Sequence, residues 1–200
     1  MMDLSKKWLE HRHFKYGWLP ILYDIVKDFK PKKIIEVGTG VGETTITMAL
    51  ALKENGIGKI HSYDIWSDWN DGNTLFEECL ESFKEWEVDD LIELKNFDFY
   101  EWIKLPVSER KFDIFYFDLN NNGDKLLDLY RSVKEDINDG SIVLFEGGSV
   151  ERDNHGLSRH GCKKMNDVKD EIGYQVLTDN IKYSFSIIYN KNMYELNYDV

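Results

Sequence analysis

Glycines and carboxylates follow the first strand-like segment of the chain, in the stretch Glu36-Val-Gly38-Thr-Gly40-Val-Gly42. Glycines at this spacing permit a tight turn and close approach of a ligand to the backbone, and a following helix offers free N–H groups. Asp64 ends the next strand-like segment about 20 residues later, where an acidic side chain can accept hydrogen bonds from both hydroxyls of a ribose. The stretch therefore predicts a site for a ribose-containing ligand.

The spacing of these glycines differs from that of a dinucleotide-binding loop. A dinucleotide fingerprint reads G-x-G-x-x-G, whereas this chain has G-x-G-x-G. Glu36 and Glu43 flank the loop with negative charge, which disfavours a pyrophosphate and favours a ligand with a ribose and a cationic group. A nucleotide-dependent oxidoreductase is therefore a disfavoured hypothesis. The lack of a second substrate domain in the sequence also disfavours it.

Two further carboxylates end later strand-like segments. Asp118 follows the strand-like segment 112–117, and Glu146 follows the strand-like segment 141–145 and precedes two glycines. In open α/β sheets, ligands bind outside the carboxyl ends of the strands, so Asp118 and Glu146 are candidates for a catalytic base or for cation ligands. His155 lies in the glycine-rich segment after Glu146, where a substrate lid is expected, and is a third catalytic candidate.

The alternation of apolar and amphipathic segments predicts the elements that position these residues. Five strand–helix units predict a parallel sheet with helices on both faces. The last two strand-like segments, 174–177 and 183–188, are too close in sequence for a parallel crossover, so they should be antiparallel neighbours. Residues 5–29 predict helices. The predicted fold is a doubly wound α/β fold, with a mainly parallel seven-stranded sheet, a C-terminal antiparallel hairpin and N-terminal helices.

Composition limits the partners and the compartment that we expect. The chain has 200 residues and a formal charge of −12, which disfavours nucleic acid or an anionic membrane as the main partner. Two cysteines fit a reducing cytosol, and no apolar run approaches the ~20 residues needed to cross a bilayer. We expect a cytoplasmic protein with a helical cap, residues 1–30, and one ligand-binding domain, residues 31–200. Its partner should be a small molecule, and a homodimer stays open.

The segment Ile34-Ile-Glu-Val-Gly-Thr-Gly-Val-Gly42 resembles motif I of class I S-adenosylmethionine-dependent methyltransferases, and the resemblance extends over about residues 31–190. In that family the glycines face the amino acid and ribose of the cofactor, Asp64 binds the ribose hydroxyls, and Ile65 and Phe99 flank the adenine. Trp66 could wall a ligand or pack under a helix. The resemblance implies a set of cofactor contacts: Glu36, Gly38, Thr39, Gly40, Gly42, Thr44, Asp64, Ile65, Asp98, Phe99 and Asp118.

The later strand ends resemble those of the small, metal-dependent O-methyltransferases related to catechol and antibiotic or sugar enzymes. There, a strand-four Asp binds Mg²⁺ and strand five supplies two adjacent ligands, whereas this chain offers Asp118 and Glu146-Gly147. Asp153 or Asn154 could supply a third ligand. The resemblance implies methyl transfer from S-adenosylmethionine to a hydroxyl of a small molecule, such as a sugar or secondary metabolite. Mg²⁺ bound by Asp118 and Glu146, a metal-free base and a catalytically silent scaffold stay open.

Overall fold

The protein is described by a computed structural model that covers residues 4–12, 17–66, 72–154, 161–179 and 183–194. Predicted candidates outside these ranges include His155. The chain divides into two compact units, Met1–Arg110 and Lys111–Val200. In the described part of the chain, no helix combines the length and the apolar character needed to cross a bilayer.

The first unit contains three parallel strands and the helices that connect them. Strand β1 pairs in parallel with β2, and β2 pairs in parallel with β3, so that Glu36, Ser62 and Leu94 lie side by side. The elements are α1 (Leu4–Arg12), α2 (Leu19–Phe29), β1 (Lys33–Val37), α3 (Glu43–Asn55), β2 (Lys59–Asp64), α4 (Gly72–Glu85), β3 (Ile92–Asn96), α5 (Phe99–Trp102) and α6 (Val107–Arg110).

The two N-terminal helices pack against α3. The Trp8 indole of α1 is buried and donates a 2.8 Å hydrogen bond to Thr47 of α3. Tyr23 and Lys27 of α2 both donate hydrogen bonds to the carboxylate of Glu54, near the end of α3. These contacts join the helices to the first unit, and the predicted boundary at residue 30 stays a prediction.

The second unit contains two parallel strands and an antiparallel pair. Strand β4 pairs in parallel with β5, β5 pairs antiparallel with β7, and β7 pairs antiparallel with β6. The elements are β4 (Ile114–Phe117), α7 (Gly123–Asn138), β5 (Ile142–Glu146), α8 (Val150–Asn154), α9 (Lys169–Ile172), β6 (Gln175–Asp179), β7 (Ser184–Ile188) and α10 (Lys191–Tyr194).

The seven strands have the order β3-β2-β1-β4-β5-β7-β6. Every residue of β4 and β5 is buried, as expected for strands covered on both faces. The mainly parallel sheet and the antiparallel C-terminal pair confirm the predicted fold class.

Candidate functional site

The glycine loop after β1 is tied to the end of β2 through both peptide groups of Gly40. Asp64 Oδ2 accepts a 2.8 Å hydrogen bond from the Gly40 N–H, and the Trp66 indole N–H donates to the Gly40 carbonyl at 3.1 Å. Asp64 Oδ1 also accepts hydrogen bonds from the N–H groups of Ile65 and Trp66, at 2.7 and 3.0 Å. Because Trp66 is almost fully buried, it fixes the loop from within and does not form an exposed aromatic wall.

The glycines of this loop are required for different reasons. Gly40 has a φ of +54°, and a Cβ added there would meet no atom of the described residues within 4 Å. Gly42 has a φ of +79°, and its Cβ would lie 2.7 Å from Cε1 of Phe83. Gly42 therefore permits close packing against α4, whereas Gly40 borders open space in which a ligand could lie.

Beneath the loop, Glu36 is completely buried and accepts hydrogen bonds from three hydroxyl groups. These come from Thr44 at 2.6 Å, and from Thr45 and Ser62 at 2.5 Å each. The Ser62 hydroxyl lies 2.6 Å from that of Thr39, so the network reaches the loop itself. Burial raises the pKa of Glu36, and the three hydrogen bonds oppose that rise. The network explains how Glu36, Thr39 and Thr44 stabilise the loop, while their predicted contacts with a cofactor stay predictions.

Asp98 and Phe99 follow β3, the parallel neighbour of β2. Asp64 pairs with Asn96, so Asp98 lies just beyond the same edge of the sheet. The Asp98 carboxylate caps α5 by accepting a 2.7 Å hydrogen bond from the Tyr100 N–H. Asp98 is half-buried, and Phe99 is buried. The helix cap is therefore formed, and the predicted adenine contacts of Asp98 and Phe99 stay predictions.

In the second unit, Asp118 and Glu146 end adjacent parallel strands. Phe117 of β4 pairs with Phe145 of β5, so Asp118 and Glu146 come next at the same edge of the sheet. Asp118 is half-buried and Glu146 is buried. This arrangement gives the second unit a pair of strand-end carboxylates.

The Glu146 carboxylate is bound by a guanidinium group from α8. Arg152 Nε donates to Glu146 Oε1 at 2.7 Å, and Arg152 Nη2 donates to Oε2 at 3.3 Å. Only 11% of the Arg152 side chain and 8% of the Glu146 side chain are exposed, so the pair is held largely away from water. The guanidinium carbon also lies 5.8 Å from the centre of the Tyr183 ring. Both oxygens of Glu146 are therefore engaged by a fixed cation.

Gly147 leaves no room for the second strand-five ligand of the metal-dependent enzymes. Its φ is +108°, and an added Cβ would lie 2.1 Å from Asn121 Oδ1 and 2.6 Å from Met165 Sδ. The Asn121 oxygen is buried and has no hydrogen-bond partner within the described ranges. A side chain at position 147 would thus have to displace Asn121.

The two residues considered as a third metal ligand have other partners. The Asp153 carboxylate accepts a 2.8 Å hydrogen bond from the Asn166 N–H, and burial raises its pKa. Asn154 Oδ1 accepts a 2.8 Å hydrogen bond from Lys164 Nζ. Neither contact favours the expected third ligand, because both side chains instead tie α8 to the segment before α9. Among the described residues, no group of three or more His, Cys, Asp or Glu side chains could hold a metal ion.

Sequence reasoning did not find the residues that fix these groups in place. It gave no role to Arg152, and His155, which it proposed as a catalytic candidate, lies outside the described residues. It gave no role to Asn121, and it left Trp66 without a partner. No local pattern could have paired Arg152 with Glu146 or Trp66 with Gly40, because each pairing depends on how the chain folds back.

Solved structures share the fold at low sequence identity. The O-methyltransferase TomG from Streptomyces achromogenes, in complex with S-adenosylmethionine, gives a TM-score of 0.61 at 16% identity, covering 95% of this chain and 91% of its own. An O-methyltransferase from Bacillus cereus, in complex with S-adenosylhomocysteine, gives 0.62 at 11% identity and covers 95% and 92%. The S-adenosylhomocysteine-bound methyltransferase PaMTH1 from Podospora anserina gives 0.59 at 15%, covering 94% and 88%. These similarities show a common fold.

Sequence comparison identifies the family directly. A search of curated protein sequences finds no significant match. The family described as a methyltransferase domain matches residues 35–146, which is more than half of the chain. The matched region begins in β1, includes the glycine loop and ends at Glu146. The chain therefore belongs to this methyltransferase family.

Proposed function

We propose that the protein transfers a methyl group from S-adenosylmethionine to a hydroxyl oxygen of a small molecule. The observation that carries the proposal is the loop after β1, where Asp64 and Trp66 fix Gly40 beside open space. The choice of cofactor and acceptor atom is supported by O-methyltransferases of the same fold, among them TomG with S-adenosylmethionine and the Bacillus cereus enzyme with S-adenosylhomocysteine.

The residues of the first unit fit this cofactor. A carboxylate offers about four lone-pair positions, and Asp64 uses three of them for backbone N–H groups. The remaining position can accept a hydrogen bond from a ribose hydroxyl, and half-buried Ile65 follows directly to flank a ring. When bound, S-adenosylmethionine supplies a methyl group on a sulfonium sulfur, which keeps the C–S electron pair as the methyl group leaves for the acceptor oxygen. Fixed alignment of the two reactants can lower the barrier by up to ~7–11 kcal/mol.

The acceptor hydroxyl must also lose its proton, and we assign the base role to Asp118. Asp118 is a half-buried carboxylate at the end of β4, next to the end of β5. Glu146 is a poorer base because Arg152 binds both of its oxygens. His155 stays the other candidate for this role.

Calorimetric titration with S-adenosylhomocysteine tests the cofactor site. We expect the wild type to bind, and we expect Gly40→Ala to weaken binding roughly 10- to 100-fold, since an intruding methyl group costs about 1–3 kcal/mol. Gly56→Ala is the matched control: Gly56 also has a positive φ, +67°, and no described atom lies within 4 Å of its added Cβ. Both variants carry the backbone strain, and only Gly40→Ala should lose affinity.

The same experiment separates the competing functions. Absence of S-adenosylhomocysteine binding by the wild type would overturn the proposal, and preferential binding of NAD(H) would favour the oxidoreductase. Radiolabelled methyl transfer to a panel of hydroxylated molecules distinguishes an enzyme from a silent scaffold. Binding without transfer to any member of a panel of phenols, sugars and hydroxy acids would favour the scaffold.

A further inference from the structure

We propose that Arg152 takes the place of the divalent cation in this protein, and that its guanidinium binds the ionised acceptor oxygen. The inference rests on the proposed methyl transfer and adds the group that stabilises the acceptor. It also predicts that the reaction needs no Mg²⁺, in contrast to the metal-dependent enzymes that the strand ends resemble.

Arg152 is a fixed cation with N–H donors to spare. Glu146 accepts hydrogen bonds from two of its N–H groups, and the others have no acceptor among the residues that the structure describes. The Tyr183 ring, 5.8 Å away, packs against the same guanidinium. An arginine keeps its charge at every physiological pH, so this cation is permanent. The side chain is thus held ready to bind an anionic oxygen.

The end of β5 does not fit Mg²⁺. Mg²⁺ requires near-octahedral oxygen ligands at short distances. A divalent cation at Glu146 would lie beside the largely buried Arg152 guanidinium, whose positive charge repels it and which already occupies one position on each carboxylate oxygen. The neighbouring position cannot supply a ligand, because Asn121 occupies the space beside Gly147. Asp153 and Asn154 are engaged elsewhere.

The positive charge of Arg152 limits which acceptor hydroxyls can react. A nearby positive charge favours the ionised form of a hydroxyl and lowers its pKa. A guanidinium fork matches an oxyanion through charge-assisted hydrogen bonds. The monovalent guanidinium lowers the pKa of the acceptor hydroxyl less than a coordinated divalent metal would. The acceptor hydroxyl must therefore already be acidic. We therefore expect a phenolic hydroxyl, whose unperturbed pKa is about 10 as in tyrosine, in preference to a sugar alcohol.

A coloured acceptor analogue tests this inference in the absence of metal. The probe is 4-nitrocatechol, whose visible absorption reports its ionisation, added to the protein with S-adenosylhomocysteine and EDTA. We expect the wild type to bind the anion, and Arg152→Met to bind it roughly 10- to 100-fold more weakly, which is the value of a charge-assisted hydrogen bond. Arg152→Lys should recover part of the affinity, because it restores the charge without the fork. Failure of the wild type to bind the probe under these conditions would overturn the proposal.

Arg131→Met is the matched control, because Arg131 forms an exposed ion pair with Glu171 in the same unit. It should leave probe binding unchanged. Thermal unfolding and S-adenosylhomocysteine affinity are measured for every variant, so that loss of folding is separated from loss of the probe site.

Direct metal binding gives the second readout. Mn²⁺, a spectroscopic substitute for Mg²⁺, should show no stoichiometric binding to the wild type by electron paramagnetic resonance. Stoichiometric Mn²⁺ binding, or probe binding that requires the metal, would refute the role of Arg152 while leaving the proposed methyl transfer intact. If S-adenosylhomocysteine itself does not bind, the proposed function fails.

Discussion

Replacing Gly147 with alanine should destabilise the protein strongly. The residue follows β5 with a φ of +108°, a conformation that side chains rarely adopt. A Cβ there would lie 2.1 Å from Asn121 Oδ1 and 2.6 Å from Met165 Sδ, far inside van der Waals contact. The substitution therefore combines backbone strain with overpacking.

The size of the effect follows from these two contributions. A non-glycine residue in a sparsely populated backbone region costs about 1–3 kcal/mol. An extra methyl group in a packed site costs about 1–3 kcal/mol more. Together they lower the free energy of unfolding by about 2–6 kcal/mol, which is a large part of the roughly 5–15 kcal/mol of a typical domain. For a chain of this size the melting temperature should fall by roughly 5–20 °C.

Urea and thermal unfolding of Gly147→Ala and Gly173→Ala separate backbone strain from steric overlap with Asn121 and Met165. Gly173→Ala is the control, since Gly173 has a φ of +77° and no described atom lies within 4 Å of its added Cβ. It should show the strain alone. The double variant Asn121→Ala/Gly147→Ala should regain part of the difference, because the two sites are in contact. If Gly147→Ala loses no more stability than Gly173→Ala, the close approach of Asn121 is refuted.

Three further predictions concern the first unit. Trp66→Phe removes the indole donor to the Gly40 carbonyl and leaves it with the weak thiol donor of Cys79 at 3.4 Å. The free energy of unfolding measured in urea should therefore fall by about 1–3 kcal/mol, and S-adenosylhomocysteine should bind more weakly; unchanged affinity would contradict the role of Trp66 in fixing the loop. Burial opposes ionisation of Glu54, but hydrogen bonds from Lys27, Tyr23 and Ser5 outweigh it and lower its pKa from 4.5 to about 2. The stability that Glu54 contributes is therefore present above pH 4.5 and lost as the pH falls towards 2, so the difference in unfolding free energy between wild type and Glu54→Gln should shrink across that window. Burial raises the pKa of Cys79 to about 12, so iodoacetamide should label it, by mass spectrometry, only after unfolding, and rapid labelling of the native protein would contradict this burial.

Local sequence signals predicted most of the sheet. The first strand, Lys33–Val37, lies directly before the glycine loop as expected, because a short apolar run between a proline and glycines leaves little choice. The C-terminal hairpin was predicted by its short connection alone. The short helix α8 was not predicted, since five residues are too few to show a helical period. Contacts such as that of Asp153 with the Asn166 N–H hold it instead.

The cofactor loop was predictable only at the level of the backbone. The glycine spacing identified a turn that needs positive φ angles, and Gly38, Gly40 and Gly42 all have them. The spacing could not tell which glycine borders open space. That distinction depends on Phe83, which reaches Gly42 from α4. Similarly, Glu36 could be identified as acidic but not as completely buried, because its three hydroxyl partners come from both α3 and β2.

At the end of β5, the identity of residue 147 alone does not explain why a second metal ligand is missing. The sequence revealed that Gly147 stands where metal-dependent enzymes have a second ligand, but not what fills that space. Asn121, with a left-handed φ of 46°, occupies it, and Arg152 pairs with the carboxylate that remains. A single substitution at position 147 should therefore not create a metal site, because Asn121 occupies the space and the positive charge of Arg152 repels a second cation. The glycine, the amide and the guanidinium form one arrangement, which holds a permanent organic cation against the strand-end carboxylate.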